Sequence, residues 1–266
     1  MEFVVFNNEI IPKEKLNFYS LERFRYADAC FESMLLINGK IPFLKYHQDR
    51  LNKTCDFLGF QQETIHFELI KKLVETHQNT TKFYRIRYSL VRAEGVNYLP
   101  NGNKINVLIE CIALNHIFKE IDNLGFYSQI KKPINLYAQY KTANALLYVM
   151  VKQFALQNNY DEVLLLNDEN NWIESSSSNI FAIINNDIYT TKENSGAVVG
   201  TSQKFIKDNF KVKTAKMDSI FLSEVNELFL TNGVQIIQPV KKLNNRKLHT
   251  SKTQEIIDKV KEIIEF

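Results

Sequence analysis

The stretch Asp161-Glu162-Val163-Leu164-Leu165-Leu166, a turn at Asp168-Glu169-Asn170-Asn171, and then Trp172-Ile173-Glu174-Ser175-Ser176-Ser177-Ser178-Asn179-Ile180-Phe181-Ala182-Ile183-Ile184 read as strand, turn, hydroxyl-rich segment and strand. An unbroken Val/Leu run bounded by turn residues marks a buried strand, so this part of the chain predicts sheet. Glu174 is the anomaly within it. An acid followed by four hydroxyls and flanked by apolar strands is either a solvated loop carboxylate beside a Ser-rich linker or the partner of a cofactor cation.

Working outward, Leu146, Leu147, Met150, Val151, Phe154 and Ala155 recur at helical intervals, and that helix should stop near Asn158-Asn159. Lys141 stands just before it, reached through the mostly apolar and aromatic Asn135-Leu136-Tyr137-Ala138-Gln139-Tyr140. Partial desolvation there favours the neutral amine, the form that attacks an aldehyde. On the other side, Gly196, Gly200, Thr201 and Ser202 precede a helical pattern from Gln203 to Phe210, a place where backbone N–H groups and hydroxyls can hold a phosphate. The tail from Ser251 to Phe266 puts Ile256, Ile257, Val260, Ile263 and Ile264 on one helical face, with Ser251 as the expected cap.

The first 115 residues have a different rhythm. Leu44, His47, Gln48, Leu51, Cys55 and Leu58 share one helical face, and Ile65, Leu69, Ile70, Leu73 and Val74 another. Phe83–Val91 and Lys104–Ala113 read as strands around the turn-rich Gly95–Asn103. The expected division is therefore an α+β domain over 1–115, a linker over 116–125 and a larger β-rich domain with flanking helices over 126–266. Arg85, Arg87 and Arg92 are separated from Tyr84, Ile86, Tyr88 and Leu90, which suits either solvent-facing arginines on an edge strand or a carboxylate pocket. His47 and Asp49 sit near Arg50, but no third group completes a Ser/His/Asp arrangement.

Composition narrows the function classes. The 266 residues carry a net charge of +3 without a block of like sign, which argues against a nucleic-acid footprint or a membrane-seeking face. Cys30, Cys55 and Cys111 are scattered and odd in number, so neither a disulfide framework nor a metal site is expected. The start lacks a signal-peptide pattern, and no run of about 18 apolar residues occurs. The expectation is a cytoplasmic protein, without membrane or nucleic-acid partners, that acts on small molecules.

Taken in order, these segments resemble the class IV aminotransferase family, the pyridoxal 5′-phosphate (PLP) enzymes of fold type IV, across nearly the whole chain. Tyr26-Ala27-Asp28-Ala29-Cys30-Phe31-Glu32 is similar to Y-G-D-G-x-F-E, and His47-Gln48-Asp49-Arg50-Leu51 to H-x-x-R-L. Lys141-Thr142-Ala143-Asn144 resembles the K-x-x-N segment, and Asp161–Phe181 resembles D-E-x-L-L-L…E-x-x-x-x-N-I-F. Gly200-Thr201-Ser202-Gln203 occupies the place of G-I-T-R, and Phe229–Gly233 with Pro239-Val240 the last turn facing phosphate and substrate. The resemblance implies a two-domain fold, D-amino-acid aminotransferase-like, with the active site between a small and a larger domain of a homodimer. It implies Lys141 as the Schiff-base lysine, Glu174 against the pyridine nitrogen, and Arg50, Thr201, Ser202, Asn232 and Gly233 around the cofactor. Tyr26, Phe31 and Arg87 would face the amine substrate.

The departures set expectations of their own. Ala27 and Ala29 replace glycines, and Gln203 replaces an arginine near the phosphate loop. The branched-chain tyrosine after the lysine is missing, and Tyr98 and Pro100 stand where D-amino-acid enzymes are expected to place an Arg-x-His pair. Thr231-Asn232-Gly233-Val234-Gln235 resembles the T-N-S-x-Q turn of aminodeoxychorismate lyases. The resemblance thus leads to 4-amino-4-deoxychorismate lyase, releasing pyruvate and 4-aminobenzoate. Amino-acid transamination and a catalytically silent PLP-binding dimer stand as the alternatives.

Overall fold

Alternation of apolar and polar residues builds the first sheet. Its strands are β1 (Phe3–Phe6), β2 (Glu9–Pro12), β3 (Ala29–Ile37), β4 (Phe83–Arg92) and β7 (Ile105–Leu114), in the antiparallel order β2-β1-β7-β4-β3. The short ribbon β5 (Gly95–Val96) and β6 (Leu99–Pro100) spans the turn-rich segment. In this computed structural model residues 2–16, 23–76 and 81–266 are described, and the chain divides into two units, Met1–Ile117 with Tyr140–Asn144 and Phe118–Gln139 with Ala145–Phe266.

In the first unit α1 (Leu44–Leu58) and α2 (Phe67–Glu75) bury their apolar stripes against one face of the sheet. Leu51, Cys55, Ile70 and Leu73 meet Met34, Ile86, Tyr88, Leu90 and Ile109 there. Period two then decides the fate of the arginines. Even-numbered Tyr84, Ile86 and Tyr88 are buried, whereas Arg85 and Arg87 are exposed. Arg92 shares the buried parity and lies inward, donating to Asp28 Oδ2 at 2.9 Å, the Gly102 carbonyl at 2.8 Å and the Leu58 carbonyl at 2.7 Å. The edge-strand expectation therefore fails for two reasons: β4 lies between β3 and β7, and an odd–even offset removes Arg92 from the exposed set.

The second unit is built on β8 (Leu124–Lys132), β9 (Glu162–Asn167), β10 (Trp172–Ser175), β11 (Asn179–Ile184), β12 (Asp187–Thr191), β13 (Val212–Ala215), β14 (Glu227–Asn232), β15 (Ile236–Val240) and the short β16 (Lys242–Leu243) and β17 (Arg246–Lys247). The helix α3 (Leu146–Gln157) connects the parallel pair β8 and β9 and packs Val151 and Ala155 on Tyr127, Val163 and Leu165. Between the parallel strands β12 and β13 runs α4 (Thr201–Asn209), and α5 (Ser219–Ser223) follows. The last helix, α6 (Ser251–Ile263), is not capped by Ser251. Its first turn is held by Glu227 of β14, which accepts from Lys252 N at 2.9 Å and from Thr253 N and Oγ1 at 2.8 Å each, a carboxylate supplied from the sheet to the positive end of the helix. Among the described residues no helix is long and apolar enough to cross a membrane.

Candidate active site

Sheet register assembles the second unit's polar residues. Glu174 pairs with Leu165 on one side and with Asn179 on the other, and Asn179 pairs with Thr231, so two polar residues of one hairpin and a third far along the chain form one cross-strand row. A register shift between Trp172 and Glu174 marks where the ladder is broken. Glu174 is buried rather than a loop carboxylate, and its side chain is only 4% exposed. Its Oε1 accepts from Lys132 Nζ at 2.5 Å and from the Tyr148 hydroxyl at 2.8 Å, and its Oε2 accepts from Val198 N at 2.9 Å. Burial and the Glu174 charge push the Tyr148 phenol up, so it stays a protonated donor.

Asn179 connects this row to the start of α4. Its Nδ2 donates to the Val198 carbonyl at 2.8 Å, while its Oδ1 fills the space where a side chain at Gly200 would have to sit. A side chain there would displace the Asn179 amide from its bond to Val198. Thr201 and Ser202 open the helix and are buried; Ser202 Oγ donates to the Asn232 carbonyl at 2.8 Å. Thr201 Oγ1 and Thr231 Oγ1 are buried without hydrogen-bond partners. The orphaned hydroxyl of Thr201 at a helix start, where the first backbone N–H groups have no intrahelical acceptor, belongs to the donor set that a phosphate needs. Gln203, in the arginine's place, donates from Nε2 to Thr190 Oγ1 at 3.0 Å, and its Oε1 accepts from Gly200 N at 3.5 Å. It secures the helix start without adding charge. Asn232 Oδ1 accepts from Val234 N and Gln235 N at 2.9 and 2.8 Å, folding the β14–β15 turn that also carries Gly233.

Lys141 lies in the first unit. Its carbonyl accepts from Phe31 N at 3.2 Å, Cys30 and Thr142 form a β-bridge, and Ala143 N donates to the Ala29 carbonyl at 2.8 Å, so the segment is tied to the end of β3. Lys141 Nζ lies 4.4 Å from the Phe31 ring centre, and the Arg87 guanidinium carbon lies 4.1 Å from the same ring. Ammonium, arginine and aromatic ring therefore meet in one place. Tyr26 packs edge-on against Tyr98 at 5.4 Å. Ala27, in a glycine's place, holds a left-handed backbone at φ 53°, while Ala29 is buried in the sheet.

The neighbouring helix face carries a buried cluster. His47 and Arg50, one turn apart on α1, both reach Glu32 of β3: Arg50 Nε and Nη2 donate to its two oxygens at 2.7 and 2.5 Å, and His47 Nδ1 lies 2.7 Å from Oε2. Burial alone would raise the Glu32 carboxyl, but Arg50 and His47 outweigh it and hold it at about 2. Burial draws His47 down, with the Arg50 and Lys141 charges adding to this against the pull of Glu32. The bidentate grip orients Arg50, whose side chain keeps 12% exposure.

The family model of class IV amino-transferases matches residues 29–243. The chain belongs to the class IV aminotransferase family. Among curated relatives, this class IV chain is 25% identical to the D-alanine aminotransferase of Staphylococcus aureus (strain N315), an alignment covering 98% of this chain and 96% of that protein. Its fold matches the branched-chain aminotransferase of the thermophilic archaeon Thermoproteus uzoniensis with norvaline, at a TM-score of 0.81 and 19% identity, over 99% of this chain and 95% of that one. It also matches a Legionella pneumophila protein whose name proposes a 4-amino-4-deoxychorismate lyase, at a TM-score of 0.79 and 22% identity, over 91% of this chain and 92% of that one. Class IV enzymes are PLP-dependent transaminases or lyases with the fold type IV architecture.

Three participants carry no role in the sequence reading. Glu32 was in view within the Tyr26–Glu32 segment, and the i, i+3 spacing of His47 and Arg50 was the available sign of a shared acceptor. Lys132 and Tyr148 gave no such sign, since Lys132 lies outside every motif and Tyr148 falls within the α3 segment without belonging to its apolar stripe.

Proposed function

We propose that Lys141 is the amine that carries PLP and that this chain transfers amino groups between an amino acid and a keto acid. What supports cofactor binding most is the row of buried Glu174, Asn179 and Thr231, the last with an orphaned hydroxyl, together with the orphaned hydroxyl of Thr201 at the start of α4. Thr201, Thr231 and the first N–H groups of α4, with Arg50, would hold the phosphate, and Ser202, Asn232 and Gly233 would shape that cradle. Glu174 Oε2, with a single donor among the described residues, would accept the ring N–H. PLP supplies an aldehyde for amines and a protonated ring that takes up the electron pair of a broken C–H bond. Lys141 Nζ would hold the cofactor through its aldehyde group and, when a substrate amine takes its place, would move the proton at the substrate's α-carbon. Arg87 would grip the substrate carboxylate beside Phe31 and Tyr26.

Arg92 bears on the choice between reactions. Its guanidinium is committed to Asp28 and two carbonyls, which leaves Arg87 as the arginine packed with Phe31. One arginine suits an amino acid with one carboxylate better than a substrate with two. The lyase is the second reading, favoured by the Thr231–Gln235 segment and by Arg85 on the same exposed face of β4. The test is a panel of amino donors with 2-oxoglutarate, run beside pyruvate release from 4-amino-4-deoxychorismate. Donor-dependent glutamate formation supports transfer; pyruvate release without transfer replaces it with the lyase; neither reaction, with a lysine-linked chromophore present, leaves the silent dimer.

A further inference from the structure

Glu174 does not face its proposed partner alone. Lys132, at the end of β8, is buried with its side chain 8% exposed, and a buried ammonium is costly unless it is paired and hydrogen-bonded. It meets that condition at one place, donating to Glu174 Oε1 at 2.5 Å, the Tyr148 hydroxyl at 2.7 Å and the Ala138 carbonyl at 3.2 Å. Tyr148, from α3, donates to the same Oε1 and lays its ring 5.2 Å from the ammonium. Two elements, β8 and α3, therefore converge on one oxygen of a carboxylate carried by β10, while among the described residues the other oxygen receives Val198 N alone. Such an asymmetry is more than the burial of a lone glutamate requires.

We propose that Lys132 and Tyr148 are positioning residues for Glu174: they occupy Oε1 and supply its counter-charge, so that Oε2 is presented in one orientation to the nitrogen of the cofactor ring. The proposal rests on the reading of Glu174 as the ring partner. Lys132 touches neither substrate nor cofactor in this role and acts through the carboxylate. A loosened Glu174 holds the ring nitrogen less firmly, and the electronic change is transmitted through the ring to the lysine–aldehyde linkage. The pH midpoint of the visible chromophore therefore reports on it.

The experiment is a pH titration of the visible spectrum of the PLP-loaded protein, without substrate, for wild type, K132M, K132R, Y148F, E174Q and the double variant Y148F/E174Q. Y148F removes one hydroxyl and no charge. We expect the midpoint to rise by about 1 pH unit in K132M, where the neighbouring charge is lost. It should rise by less in Y148F, move back towards wild type in K132R, and be the same in Y148F/E174Q as in E174Q. A midpoint that moves in E174Q but not in K132M or Y148F overturns the positioning role, even if both variants melt at lower temperature. An equal Y148F shift with and without Glu174 also overturns it, because Tyr148 would then act by another route. If E174Q leaves the wild-type spectrum unchanged, or wild type forms no chromophore, the parent reading of Glu174 fails and takes this proposal with it.

Discussion

Each unit buries a glutamate that the site uses, Glu32 in the first and Glu174 in the second, against a cation and a further hydrogen-bonding group, and these two carboxylates are treated differently. Glu32 is closed: Arg50 grips both oxygens and His47 adds a contact to Oε2. Glu174 is lopsided, with Lys132 and Tyr148 crowded on Oε1 and, among the described residues, a single backbone donor on Oε2. A closed carboxylate orients a neighbour, here Arg50. A lopsided one keeps an acceptor position in hand for something else. Arginine suits the first task because its planar fork matches both oxygens at once, and lysine suits the second because a point charge can occupy one oxygen and leave the other.

Substitutions at the two sites should break that contrast in different currencies. E174Q is expected to lower turnover on any accepted amine by about two to three orders of magnitude, the scale of losing one electrostatic contact to the reacting system; a purified variant with wild-type turnover would contradict the role given to Oε2. E32Q should act first on stability. Depressing the Glu32 carboxyl from its ordinary 4.5 to about 2 corresponds to about 3 kcal/mol in favour of the folded chain at neutral pH. That contribution is present above the unfolded value and disappears as pH falls from about 4.5 towards about 2. His47 adds to the same trend, because below about pH 6.5 the unfolded chain binds a proton that the folded chain resists. E32Q should accordingly lower Tm by about 6–12 °C at pH 7 and flatten the acid limb of the stability curve. Thermal melts across pH would show this.

Smaller effects sharpen the picture. T201V keeps the shape of the buried threonine but removes its orphaned hydroxyl, and PLP should bind about tenfold more weakly, the scale of one hydrogen bond to a charged group; unchanged affinity in a fluorescence titration would remove Thr201 from the cradle. A27G relieves a left-handed backbone where the family motif has glycine, and should stabilise the chain by about 0.5–1 kcal/mol, or about 2 °C in Tm.

Much of the architecture was legible because periodicity is a local signal. The stripes at Leu44–Leu58 and Leu146–Ala155 and the runs at Glu162–Leu166 and Asn179–Ile184 each announce an element that buries one face or both. What was not legible depends on distance. Lys132 reaches Glu174 across 42 residues, and Glu227 reaches the α6 start across 25 or more, contacts that only sheet order creates. Arg92 was misjudged for a narrower reason: its parity differs from that of Arg85 and Arg87, and grouping the three as one basic face overlooked the offset. Ordered motifs carried the family assignment, yet the choice between transfer and elimination turns on where side chains are already committed.

The central claim is that Lys141, and not the buried Lys132, carries the cofactor. The most direct measurement is borohydride reduction of the PLP-loaded protein followed by peptide mapping. The account predicts a phosphopyridoxyl group on the peptide containing Lys141 and none in K141A treated the same way. A label on Lys132, or an undiminished label elsewhere in K141A, would contradict it.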